Sequence, residues 1–157
     1  MKKIILFISF MFIMLKNTCF AYGIYPDYLN DDPNYILCDM HMDTGWFVVR
    51  DSIEVEMYNP PQYIITIDVA RVLNADTRHN NTEISSLRKY RFFYNWDLRQ
   101  MYVDKTEGDS DWYYINPGGC WAYTGIVKNA GEMAFYLAYN QKFYNIRIPD
   151  DFYDRCN

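Results

Sequence analysis

The chain has 157 residues, half of them hydrophobic and 19% aromatic, with 16 tyrosines. That is one domain's worth of chain, with enough apolar side chains to bury a sizeable core. Residues 22–157 carry twenty acidic against twelve basic side chains, a net charge of −8, which argues against nucleic acid and anionic membrane as partners because both need a basic footprint.

Residues 1–21 read as a signal peptide. Lys2 and Lys3 give a basic start, residues 4–15 are a continuous apolar run, and Ala21 is a small residue at a cleavage position with Cys19 two places earlier. The run falls short of the ~20 residues that span a bilayer as a helix, so an exported protein without a stable membrane span is expected. In an oxidising compartment two of Cys38, Cys120 and Cys156 are expected to form a disulfide, and the sequence leaves all three pairings open. Residues 22–34, rich in Pro, Asp, Asn and Tyr without a period, read as an extended arm, and residues 35–157 as one domain.

Strand signals then come one after another. Residues 35–41 alternate Cys38, Met40 and Met42 on one side with Asp39, His41 and Asp43 on the other. Residues 46–49 (WFVV) read as a short buried strand. Residues 52–58 put Ile53, Val55 and Met57 inward and Glu54, Glu56 and Tyr58 outward. Asn59-Pro60-Pro61 breaks the pattern, since proline donates nothing to a ladder. Residues 62–73 are the longest candidate, with Tyr63, Ile65, Ile67, Val69 and Leu73 on one face and Thr66, Asp68 and Ala70 on the other. Residues 83–96 and 98–103 pair as a hairpin about Asn95, Trp96 and Asp97. Residues 104–111 are a polar turn and residues 112–115 (WYYI) a last strand.

Residues 132–145 (EMAFYLAYNQKFYN) carry five aromatic rings in fourteen residues and read as a helix, with Asn129 as N-cap and Glu132 completing a box-like start. Phe135, Tyr139, Phe143, Tyr136, Met133, Tyr144 and Leu137 sweep an arc of roughly 200°, interrupted by Asn140, whereas covering a sheet takes only about 100°. Leu137, Met133 and Phe143 are expected to dock the helix. The surplus flank is either covered by the C-terminal segment through Ile146, Ile148 and Phe152, or it is a contact surface. The expected architecture is α+β: an antiparallel meander of about six strands packed against one C-terminal helix.

Catalytic chemistry has little to stand on. The histidines are His41, in a strand, and His79, in a loop, and there is no Gly-x-Ser-x-Gly elbow. Cys38 and His41 have metal-like spacing but supply two ligands only, and the acidic turn departs from a calcium loop, so neither a metal nor a cofactor is expected. Glu54 and Glu56 lie on one strand face, which is ordinarily its wet side. Between Arg71 and Arg99 six basic residues stand against three acidic ones, and cations interleave with rings in residues 87–96. Alternation separates Lys89 and Arg91 from Tyr90 and Phe92, so a solvated face is expected, with a modest anion-binding or partner-docking patch as the alternative.

The segments WFVVRDSIEV, KYRFFYNWDLRQMYV and AFYLAYNQKFY, spanning about residues 45–144, resemble small exported bacterial proteins similar to surface-adhesin protein E. The resemblance implies a small antiparallel sheet backed by a helix, and a non-enzymatic adhesion or interaction role in the cell envelope or outside the cell, with a protein or envelope component as partner. It transfers no binding residue. From the residues themselves, the candidate contact surface is Tyr136, Tyr139 and Tyr144 with Trp112, Tyr113, Tyr114, Trp121 and Tyr123. The competing functions are a small envelope hydrolase using Glu54, Glu56 or His41, and a periplasmic binding or inhibitor domain.

Overall fold

A computed structural model gives the fold and describes residues 25–106 and 111–157. The signal-peptide reading of residues 1–21, the start of the arm, and residues 107–110 of the polar turn lie outside the described residues. Six strands form one antiparallel sheet: β1 (Tyr35–His41), β2 (Thr44–Asn59), β3 (Gln62–Val72), β4 (Ile84–Asn95), β5 (Gln100–Asp104) and β6 (Trp112–Ile115). Strand order equals chain order, as short turns between consecutive strands dictate. A helical turn, α1 (Trp121–Thr124), and the main helix, α2 (Val127–Tyr139), come next in the chain. The α+β class and the meander expected from the sequence are what the chain forms. No helix among the described residues is long and apolar enough to cross a membrane.

Several local readings are corrected. The strands expected at 46–49 and 52–58 are one strand, β2, carried through two bulges. At the first, residues 50–53 stand opposite Ile67 alone. Ser52 fills the gap in the ladder, accepting from the Asp68 N–H at 2.8 Å and donating to the Val49 carbonyl at 2.6 Å. At the second, Glu56 is the extra residue, and the facing of the last residues of β2 is inverted. Tyr58 comes round to the helix side, 5.6 Å from the Tyr63 ring and 6.0 Å from Tyr139, where strict alternation places it outward. A bulge between Leu37 and Asp39 does the same in β1: Cys38 is buried in the helix-side core, and Asp39 reaches Asn129 of α2 on that side too. Leu73 lies beyond the end of β3 and is exposed, so it leaves the face of Ile65, Ile67 and Val69.

The helix is corrected as well. It runs from Val127 to Tyr139, and Asn140, left-handed at φ 54°, ends it. Asparagine tolerates that conformation, and its N–H closes on the Tyr136 carbonyl at 2.7 Å. Asn129 is therefore inside the helix, Glu132 is at its middle, and Phe143 and Tyr144 belong to the turn beyond. The chain does not close on the helix but goes on through two short 3-10 turns, Asp150–Phe152 and Asp154–Cys156. Helix and sheet meet closely at Gly131, where a Cβ would overlap the Met101 Sδ and crowd the Phe92 ring. Tyr94 Oη donates to the Gly131 carbonyl at 2.8 Å and fixes that approach.

The main core lies between α2 and the sheet, from Ile36 and Val48 to Phe92, Tyr94, Met101 and Ile115. A smaller cluster on the opposite face holds Leu37, Phe47, Ala70 and Val72, capped by Leu29 from the segment before β1. That segment is tied to the C-terminus: Tyr28 Oη donates to the Arg155 carbonyl at 2.9 Å, and Asp27 pairs with the Arg155 guanidinium at 2.8 Å.

Candidate functional site

The aromatic residues singled out from the sequence fall in three places. The helix group is packed. Tyr136 lies 4.8 Å from the Tyr153 ring, and Tyr139 sits among Phe135, Tyr63 and Tyr58. Tyr144 is buried, its hydroxyl donating to the Ile115 carbonyl at 2.8 Å and accepting from the Met101 N–H at 2.7 Å. The C-terminal segment does fold back over the ring flank: Phe152 and Tyr153 are buried and Ile148 packs on the core, while Ile146 stays exposed. Trp112 and Tyr114 project from the other face of β6, against Phe93 and Tyr102 respectively, with the Arg91 guanidinium 4.9 Å over the Trp112 ring. Trp121 and Tyr123 are in α1 and exposed.

Around α1 the helix-bearing face of the sheet is not covered by α2, and three hollows lie there in series. The largest of the three, about 540 Å³, is bounded by Tyr113, Ile115, Cys120, Tyr123 and Val127. The second, about 360 Å³, shares Tyr113 and Tyr123 with it and adds Arg88, Tyr90, Asp104 and Lys105. The third, about 290 Å³, shares Arg88 and Tyr90 with the second and ends at Trp46, Val69 and Arg71. Together they make a groove crossing from the β6 edge to β2. Register assembles it. Val69 pairs with Arg88 and Ser86 with Arg71, so the two arginines are diagonal neighbours on adjacent strands and share the face of Val69. Lys105 lies just past the end of β5, two residues after Val103, and Tyr113 pairs with Val103 across β5 and β6.

The groove's cations are not neutralised by carboxylates among the described residues. Arg88 lies 5.0 Å over the Tyr90 ring and the Lys105 ammonium 3.7 Å over Tyr113, while Arg71, across from Trp46, makes no ion pair among the described residues. Asp104, the one acid among the described residues of the groove wall, is buried and held by Arg91 at 3.3 Å. Arg91 and Lys89, on the opposite face of β4, are paired with Glu56 at 2.6 Å and Asp68 at 3.7 Å, the solvated face expected for them. Burial raises the Tyr90 hydroxyl above its ordinary pKa, so that ring stays a neutral phenol.

The groups a hydrolase would need are apart from this groove. None of its three hollows is lined by His41, Glu54 or Glu56. His41 stacks on Trp121 at 3.9 Å. His79 is bonded to Asp76 at 2.7 Å in the loop after β3, a bond that holds the Asp76 carboxyl below its usual range. Asp39, beside His41, is pushed up to about 6, chiefly by burial, with the Met40 N–H and Trp121 pulling the other way. A folded-state value above the unfolded 3.8 means that the native protein holds the proton more tightly. Stability from this group is therefore full below about pH 4 and is lost as pH rises through about 6. Asp39→Asn should gain about 2 kcal/mol at pH 7 after allowance for screening. It should also flatten part of the pH 4–6 slope in urea unfolding.

Among the described residues Cys38, Cys120 and Cys156 are all free thiols, which corrects the disulfide expected between two of them. Cys38 and Cys156 are buried in the main core, where burial pushes Cys38 well up and Cys156 to about 11. Both therefore stay protonated, the form that does not attack another sulfur. Cys120 is exposed on the loop before α1. Among the described residues no group of three or more His, Cys, Asp or Glu side chains is placed to hold a metal ion. Comparisons with known protein families, with curated proteins and with solved structures find no match to this chain.

Proposed function

We propose that the chain is a non-enzymatic, exported interaction module, similar in role to surface-adhesin protein E, that meets a cell-surface or envelope partner through the groove at α1. One observation supports this reading: exposed rings, Tyr113 and Tyr123, and cations without acids among the described residues stand side by side in a single concavity. Amphipathic rings lose little conformational freedom on contact, and unpaired arginines are ready donors to a partner's oxygens. Tyr136, Tyr139 and Tyr144 are packed, so this reading puts the contact surface at Tyr123 of α1 and not on the main helix. Export rests on the basic and apolar opening of the sequence.

A photoreactive benzophenone side chain at Tyr123, and separately at Leu98, tests the reading in intact cells. Leu98 is exposed in the β4–β5 turn and is no part of the groove. Adducts are expected from position 123 and not from 98. Adducts from 98 alone, or from neither, contradict it. The hydrolase reading keeps a single support, the raised Asp39 carboxyl beside His41, and predicts turnover that Asp39→Asn abolishes.

A further inference from the structure

Resting on the reading of the groove as the contact surface, we infer that its occupant is an acidic glycan chain. Its sugar faces lie on Tyr123 and Tyr113, and its carboxylate or sulfate groups pair with Arg71 and Arg88. The floor of the groove is the face of β3, β4 and β5, and ladder hydrogen bonds lie in the plane of the sheet, so a ligand lying across that face meets side chains. β4 pairs with β5 only from Phe92 onward, so a peptide would gain main-chain bonds only by running along the β4 edge before Phe92 and not by lying in the groove.

The side chains present are of two kinds. Tyr123 and Tyr113 are 82% and 47% exposed, large flat apolar surfaces with a polar tip, suited to a molecule with C–H faces and hydroxyl edges. Arg71 and Arg88 present planar forks that match a carboxylate or sulfate bidentately. Elsewhere Arg50, Lys89, Arg91, Lys128, Arg147 and Arg155 each hold a carboxylate or a carbonyl oxygen. The two groove arginines hold neither among the described residues, so their charge is available to a ligand. The chain is otherwise acidic, at −5 overall, and two or three cations are too few for nucleic acid at physiological salt. A short run of acidic sugars needs no more.

Calorimetry on the purified chain decides it, with a galacturonate hexasaccharide as probe and three controls: a neutral glucose hexasaccharide, hexaglutamate and hexathymidylate. The galacturonate should bind at least tenfold more tightly than any control, and its log affinity should fall against log salt with a slope of about −2. Arg71→Glu with Arg88→Glu should cost at least tenfold, and Tyr123→Ser at least threefold, while the thermal midpoint stays within about 2 °C because all three side chains are exposed. Arg71→Gln with Arg88→Gln serves if the charge reversal disturbs folding.

Absence of galacturonate binding, equal binding of hexaglutamate or hexathymidylate, or indifference to the arginine changes overturns the inference. Should Tyr123 still give adducts in cells after such a failure, the groove remains the contact surface and only the glycan is lost. Should Tyr123 give none, the wider reading falls as well.

Discussion

Glu132→Ala is expected to destabilise the protein by about 3–5 kcal/mol, a large fraction of a small domain's stability. Glu132 is 0% exposed, yet it meets no salt-bridge partner within range among the described residues. Its carboxylate instead collects the turn after α2. It accepts from the N–H groups of Tyr144 at 2.7 Å, Phe143 at 3.2 Å and Asn145 at 3.3 Å, and from the Tyr153 hydroxyl at 2.9 Å. Burial raises its pKa, and these four donors oppose the rise. Alanine leaves donors stranded in the core, each costing about 1–3 kcal/mol, and lets the ring-covering tail come loose. Glu132→Gln keeps an acceptor and should lose roughly half as much. Urea unfolding measures both, and an alanine variant within about 1 kcal/mol of the parent would mean the tail holds by packing alone.

Phe135→Ala carries the second large effect, about 3–5 kcal/mol and toward the upper end. The ring is buried and touches five others: Tyr94 at 4.8 Å, Tyr139 and Phe143 at 5.0 Å, Trp96 at 5.4 Å and Tyr63 at 5.6 Å. Stiff rings cannot collapse into the space a missing ring leaves, so most of the cavity persists and its cost with it. Phe135→Leu, closer in volume, should cost about 1–2 kcal/mol. Equal losses for the two variants in urea unfolding would show that the site relaxes and that ring-on-ring packing is not what holds α2 to the sheet.

Strand identity is legible wherever a period of two runs uninterrupted, as in β3, β4 and β6. It fails at bulges, because one extra residue flips every later side chain and leaves no mark in composition. Periodicity misplaces the residues after Glu56 and after Leu37 for that reason alone. The helix is legible in the sequence, but its ring-rich stretch sets the N-cap three residues late and the end six residues late. Asn140, which interrupts the ring arc, is the stop signal. Glu132 looks like part of an N-terminal box because its true partners lie eleven to thirteen residues on, in a turn that no helical period describes. The surplus rings that suggest an outer surface are explained by that turn and by Phe152 and Tyr153. The groove is legible only in fragments. Trp121 and Tyr123 stand out as rings and the Arg71–Arg99 stretch as unusually basic, but strand register is what sets Arg71, Arg88, Lys105 and Tyr113 in one concavity.

The four tryptophans give the most direct test of where this protein makes contact. Trp46 lines the inner end of the groove, and the Trp121 ring lies 6.1 Å from it. Trp96 is stacked between Phe135 and Arg99, and Trp112 is on the opposite face of the sheet. In nitrogen-15 NMR titrations of the chain with galacturonate hexasaccharide, the account predicts that the indole signals of Trp46 and Trp121 move together while those of Trp96 and Trp112 stay in place. Movement of Trp112 with Trp46 and Trp121 unchanged would put the contact surface on the other side of the sheet and contradict it.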